Sequence, residues 1–281
     1  GNLTAWFGTG NNVEKCLPFQ PIDLTNGLVA HYLFDGNSSD SSGYDNHGET
    51  LGATLGTDRF GRPDKAYVFD GTDDYVSVQS SDSLNIKSRT VAGWFRIPAE
   101  LSEPQILIAK VHGCTTSELN VNLKTQFKLT GGFEDSYNPG SDDSQVAATN
   151  SFTAGKWTHF AHTWDETTFE HQLWVDGQKV GSATVPGKIP VWSNGSVLGI
   201  GGAIGACGTN QYLFDGSLDD LRIYNRALSP GELTALYDLE KPINLASGLV
   251  AHYLFDGNSS DSSGYGNHGT TLGATLGVDR Y

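Results

Sequence analysis

The stretch Gly27–Gly48, GLVAHYLFDGNSSDSSGYDNHG, occurs twice in this chain with a single change. Residues Gly248–Arg280 repeat Gly27–Arg59 at a constant offset of 221, and of the 33 paired positions only Asp45/Gly266, Glu49/Thr270 and Thr57/Val278 differ. Self-similarity at a fixed period marks a repeated structural unit. Here the period is one whole domain, so the chain reads as a leader (1–26), one complete copy (27–240), and a linker with the opening of a second (241–281). Within the stretch, Leu28, Ala30, Tyr32 and Phe34 alternate with Val29, His31 and Leu33, the period of a strand. The strand then breaks into a loop of Asp, Asn, Ser and Gly, residues that turn the backbone and offer oxygen ligands.

Working outward, 281 residues with 37% hydrophobic content allow one large core. Lys plus Arg number 17 against 32 Asp plus Glu, a net charge of -15. So acidic a surface repels phosphate backbones and speaks against nucleic-acid binding. No apolar run approaches the roughly 20 residues that span a bilayer, so membrane insertion is not expected. Of the three cysteines, Cys114 and Cys207 lie in Gly-rich loops (HGCTTS and GACGTN) and are expected to pair, which implies an oxidising compartment; Cys16 is left over.

Short strands follow the first loop at roughly 48–54, 66–70, 75–79, 90–97, 105–111, 119–125 and 127–131. A second run covers 157–165, 168–176, 179–185, 196–202 and 217–225. Asp176-Gly177 predicts a tight hairpin between two of them. One helix is predicted after Ser229-Pro-Gly-Glu232, an N-cap, a first-turn proline and a capping-box glutamate. The expected fold is therefore all-β: a two-sheet antiparallel jelly-roll sandwich with one short C-terminal helix.

Four motifs in order, GLVAHYLFDGNSSDSSGYDNHG, FDGTDDYVSV (69–78), WTHFAHTWD…LWVDGQKVGS (157–182) and FDGSLDDLRIYNRALSPGEL (214–233), resemble a laminin-G-like domain. More narrowly, they are similar to the pentraxin-related bacterial branch of the concanavalin A-like lectin/glucanase superfamily. The resemblance covers about residues 27–238. It is specific for fold and not for function, because this sandwich serves lectins, adhesive repeats and glucanases alike.

The first loop offers Asp35, Asn37, Asp40, Asp45 and Asn46 as oxygen ligands for Ca²⁺, without EF-hand spacing. The resemblance implies a narrower set: Asp40, Asn46, a carbonyl near His47, and Asp219 or Asp220 of the late strand, holding a structural calcium. The alternative is that Asp40 and Asn46 only cap turns. His47 is expected to be a buried, hydrogen-bonded histidine. His159 and His162 lie three apart on a strand and face opposite ways, so they make no zinc pair.

Sugars present apolar C–H faces to exposed rings, and the rings judged freest are Trp192, Tyr137 and Phe133 in loops. Trp174 shares a strand face with Glu170, Gln172 and Asp176, a polar face that could be open to a ligand, while the resemblance implies an aromatic at this position and favours packing. Trp94, Trp157 and Trp164 are assigned to the core. No E-x-D-x-x-E run places two carboxylates for glycoside hydrolysis, and no G-x-S-x-G or H-E-x-x-H occurs, so an enzyme is not expected. The expected function is a non-catalytic, calcium-stabilised carbohydrate-binding or adhesive domain of a secreted or cell-surface repeat protein, with a polysaccharide or glycan as partner. The alternative is a structural, self-assembling extracellular repeat with no sugar ligand. The tail, 247–281, repeats an apolar strand with no sandwich of its own. It is expected to associate with another copy of the chain or to fold back on its own domain.

Overall fold

A computed structural model describes residues 22–112, 116–133, 144–149, 151–190, 195–242 and 248–277. Gly1–Glu240 and Lys241–Tyr281 form separate compact units. The leader as far as residue 21, the Cys114–Cys207 pairing, Tyr137 and Trp192 fall outside the described residues.

Two antiparallel sheets build the larger unit. One contains β1 (Leu28–Tyr32), β3 (Thr54–Gly56), β4 (Ala66–Asp70), β6 (Arg89–Arg96), β11 (Thr158–Asp165), β12 (Glu170–Val175), β13 (Gln178–Thr184) and β15 (Asp215–Tyr224). Its order is β13-β12-β11-β6-β15-β4-β3, with β1 also on β15. Strand β15 is long enough to pair β4 through Asp215–Leu218 and β1 through Leu221–Tyr224 along one edge. The other sheet contains β2 (Gly48–Leu51), β5 (Tyr75–Val78), β7 (Gln105–His112), β8 (Thr116–Lys124), β9 (Lys128–Gly132), β10 (Gln145–Ala148) and β14 (Leu198–Ile200), in the order β10-β9-β8-β7-β14-β5-β2.

The core lies between the sheets, where Phe69, Val91, Phe95, Leu107, Val121, Phe160, Leu173 and Leu221 are almost wholly enclosed. Successive strand residues face opposite ways, so one face of each strand enters this core. The outer face of the first sheet is covered as well. Helix α1 (Pro230–Glu240) lays Leu233 and Leu236 over Ala92, Ala161, Trp174 and Tyr224. That is why β6 and β11 are buried along nearly their whole length while edge strand β13 alternates with solvent. The helix opens as its sequence predicts: Ser229 N–H donates to Glu232 at 2.8 Å and Glu232 N–H to Ser229 Oγ at 3.3 Å, the reciprocal capping box. Asp176 and Gly177 both take positive φ (47° and 73°), the geometry of the tight hairpin.

The smaller unit repeats the first loop and not the first strand. Asp261 accepts backbone N–H bonds from His252, Ser263 and Asn267, as Asp40 does from His31, Ser42 and Asn46. Its own N–H reaches His268 Nδ1 at 3.1 Å, as that of Asp40 reaches His47 Nδ1 at 3.0 Å. Thus the loop is closed by its own residues. Asp45 takes φ 58° and its counterpart Gly266 takes φ 75°, so the one difference inside the loop falls where glycine is at least as comfortable.

Candidate functional site

His31 links two of the residues expected to ligate calcium, donating its N–H to Asp40 and meeting Asp220 through its ring, and protein groups already contact both carboxylates. Asp40 is buried, with Oδ1 accepting N–H bonds from His31 and Ser42 (both 2.8 Å). Its Oδ2 accepts from Ser42 Oγ at 2.8 Å and Asn46 N–H at 3.0 Å. The Asn46 amide donates to Val29 O and accepts from Ser81 Oγ, and its carbonyl accepts the Tyr32 hydroxyl. His47 is exposed and not buried as expected, because its ring serves the loop only by accepting the Asp40 N–H.

Asp219 and Asp220, adjacent on β15, would face opposite ways in a regular strand. Here the register shifts between Asp219 and Arg222, and Asp220 takes a left-handed φ of 52°. Both carboxylates therefore meet Arg59, at 2.5 Å for Asp219 and 2.8 Å for Asp220. The same guanidinium donates to Glu240 O at the end of α1. Arg222 bridges Asp220 and Glu240 at 3.2 and 2.6 Å, and His31 Nε2 lies 2.6 Å from Asp220. Trp94 Nε1 donates to Glu240 at 3.0 Å.

Burial raises Asp219 to about 6 and Glu240 to about 7 against the pull of Arg59 and Arg222, respectively. Burial works the same way on Asp220, yet the His31 hydrogen bond and the Arg222 charge hold it well below the usual carboxylate range. This donor set does not fit a calcium ion: Arg59 and Arg222 already pair with Asp219 and Asp220, and Asp40 is saturated by N–H and O–H donors. The network instead ties the first strand, the Asp58-Arg59 turn, β15 and α1 into one body.

Among the described residues one other acidic group converges. Asp70, Asp73 and Asp74 bring one oxygen each to within 4.8 Å of one another. Asp70 caps its turn through Thr72 N–H, and Asp74 accepts Asp70 N–H.

Two rings expected to meet sugar are enclosed. Phe133 is fully buried, packed edge-on against Trp164 at 4.7 Å and beside His171. Trp174 is 6% exposed because α1 covers that face of the sheet, and its Nε1 bonds Gln172. His159 and His162 do face opposite sides of β11: His159 packs on Trp94 and Tyr237 near α1, while His162 enters the sandwich.

One open feature among the described residues is a cleft of about 370 Å³ beside the first loop, lined among others by Tyr44, Asp82, Asn85, Lys87, Glu166 and Asn225. Tyr44 is 52% exposed, presented at the loop surface next to left-handed Gly43. Asp82, Lys87 and Asn225 are exposed around it. A ring beside charged and amide groups of both donor and acceptor type suits a neutral polyhydroxyl ligand. Tyr44 was not singled out by the sequence reading. Its signal was its place in the loop itself, the only large aromatic ring between Asp35 and Gly48.

A family model described as the concanavalin A-like lectin/glucanases superfamily matches residues 70–234. A curated relative, the pentraxin-related protein PTX3 of Bos taurus, is 30% identical over 99 residues, 34% of this chain and 26% of that protein. Three solved structures share the fold. The binding domain of Paraclostridial Mosquitocidal Protein 1 matches with TM-score 0.61 at 18% identity, covering 77% of this chain and 53% of the other. Domain 4 of AbnA, an extracellular arabinanase from Geobacillus stearothermophilus in complex with arabinotriose, matches with TM-score 0.55 at 20% identity (75% and 98%). The binding domain of botulinum neurotoxin DC in complex with SialylT matches with TM-score 0.58 at 12% identity (77% and 52%). The chain thus spans about a quarter of its curated relative and about half of the toxin binding domains.

Proposed function

The chain belongs to the concanavalin A-like lectin/glucanase superfamily, and we propose that it is a non-catalytic, extracellular carbohydrate-binding module whose glycan docks in the Tyr44 cleft. The observation that carries this reading is the exposed Tyr44 ring set in an open polar cleft. The ring stacks on the C–H face of a sugar, while Asp82, Lys87, Glu166 and Asn225 offer hydrogen bonds to its hydroxyls. Related folds in complex with arabinotriose and with SialylT support a glycan as the class of partner. The acidic network on β15 has no part in this reading beyond holding the fold.

A glycan array should show binding, and Tyr44→Ala should weaken the best hit about fivefold or more, since a ring contact of this kind is worth about 1 kcal/mol or more. The melting temperature should hold, because the side chain is half exposed. Undiminished binding by Tyr44→Ala would move the site elsewhere.

A second reading, a self-assembling repeat, is favoured by one observation. Val29 and Phe34 are buried in the first copy, while Val250 and Phe255 of the tail are each 67% exposed. An apolar segment left open in this way, with the sequence of a strand, is a pairing surface. Sizing with light scattering at rising concentration should then show oligomers that disappear on deletion of 248–281; a monomer throughout removes this reading.

A further inference from the structure

Two charged side chains on β7 and β8 are turned into the core, where strand periodicity puts apolar ones. Lys110 lies two residues beyond the core residue Ile108 on β7 and shares its side of the strand. On β8, Leu119, Val121 and Leu123 enter the core, so by alternation Glu118 should face out. The register slips here: Lys110 stands opposite Leu119, and Val111 opposite Ser117. Glu118 is the extra residue of this bulge, and a bulge re-aims its side chain. Lys110 and Glu118 are each 2% exposed.

Lys110 Nζ sits 2.9 Å from Glu118 Oε2 and donates to Asn85 Oδ1 at 2.7 Å and to Leu84 O at 3.4 Å. An amine, a carboxamide and a carboxyl group thus meet at one nitrogen. Leu84, Ile86, Leu119, Leu198 and Ile223 wall the same spot, beside Arg89. Within such walls, a proton passing from Lys110 to Glu118 cancels two buried charges and creates none. A desolvated lysine amine is a nucleophile. The carbon in its reach is Asn85 Cγ, one bond from the oxygen it already touches, and fixed contact of this kind replaces the encounter that such a reaction needs in water. Asn85 is half-buried and also lines the open Tyr44 cleft, which gives a small leaving group a way out.

We propose that Lys110 and Asn85 are joined by an isopeptide bond that the folded chain forms by itself, with Glu118 as the catalytic base and acid. Glu118 takes a proton from the Lys110 ammonium, Nζ attacks Asn85 Cγ, and Glu118 protonates the departing amide nitrogen. The Nζ–Cγ bond forms, the Cγ–Nδ2 bond breaks, and ammonia leaves. Of the three ammonium protons, one stays on the new amide, one departs in the ammonia and one remains on Glu118. No oxidant, cofactor or second substrate enters. The bond ties the segment ahead of β6 to β7, and it stands whether or not a glycan binds in the Tyr44 cleft.

Mass spectrometry of the whole chain, reduced and denatured, tests the proposal. The chain should weigh one ammonia less than its sequence, and a digest should contain a branched peptide joining the segments of Asn85 and Lys110. Asn85→Asp should shed one water in place of ammonia, because the acid offers the same carbon with a different leaving group. Glu118→Gln should fold and keep its full mass. If that variant fails to fold, the branched peptide of the unsubstituted chain decides. An unsubstituted chain of full mass, or a lighter one without the branched peptide, would overturn the proposal and leave Lys110, Glu118 and Asn85 as a buried ion pair with an amide beside it. A folded Glu118→Gln chain that still loses ammonia would overturn the role given to Glu118.

Discussion

Arg59→Met should cost the domain about 3–5 kcal/mol, the range for breaking a buried ion pair from one side. Arg59 is the single cation that touches both Asp219 and Asp220, and it also donates to the last turn of α1. Its side chain is 6% exposed, so water does not replace what is lost. Removing it leaves Asp219 facing no other cation and Asp220 dependent on Arg222 and His31. For a domain of this size the melting temperature should fall by roughly 6–20 °C. Denaturant melts of Arg59→Met and the unsubstituted chain measure this directly, and a loss under about 1 kcal/mol would show that the network is dispensable. The same melts decide the metal question. If guanidinium groups stand in for the cation, the unsubstituted chain melts identically with and without a calcium chelator; a drop in chelator would restore calcium to this fold.

Acid should unfold the domain in two stages. His159, His162 and His171 are buried, and burial holds all three below the ordinary histidine value, His159 and His171 at about 3. A depressed histidine contributes stability that is fully present above about 6.5. It is lost as pH falls, at about 1.4 kcal/mol per unit for each group. Glu240 and Asp219 act the other way. Their values of about 7 and 6 lie above those of the unfolded chain, so protonation relieves their burial as pH falls toward 4. Between about pH 6.5 and 4.5 three groups lose and two gain, a net decline near one group's worth, about 1.4 kcal/mol per unit. Below about pH 4 the unfolded carboxylates are protonated too, the offset ends, Asp220 with its depressed value joins the three histidines, and the slope steepens to roughly 5–6 kcal/mol per unit. Stability measured at half-unit steps should show the break. His171→Gln should remove one histidine's share of the slope, and an unchanged slope would exclude the buried pair as its source.

The parts of the fold that depend on neighbours in sequence were legible in it. The loop around Asp40 closes through hydrogen bonds no farther than from His31 to Gly48, and the same bonds close again around Asp261 where no sandwich strand follows. The Asp176-Gly177 hairpin and the Ser229–Glu232 capping box are of the same kind, each a short-range bond between residue types suited to it. Strand alternation revealed which faces were apolar and so the two-layer class.

What lay across the sheets was not legible. Trp174 reads as facing a polar, open surface because Glu170, Gln172 and Asp176 share its parity, yet a helix some 60 residues later covers it. Phe133 sits next to a polar loop and nevertheless turns inward onto Trp164. The resemblance implied Asp219 or Asp220 as a calcium ligand, and a regular strand would present one carboxylate at a time. A bulge with Asp220 left-handed aims both at Arg59, 160 residues away in the chain. Lys110 inside ILIAKVH and Arg89 at the head of TVAGWF are charges within apolar strands, and nothing in their spacing singled them out. Their partners follow only from which strands lie opposite.

The sequence by itself thus determined the local turns, the helix cap, the sandwich class and the family, because each is encoded in residue type and short spacing. Only the tertiary structure decided which rings reach solvent and which charges meet. Those outcomes depend on how two sheets and one helix stack, and a side chain's surroundings there are set by residues tens to hundreds of positions away.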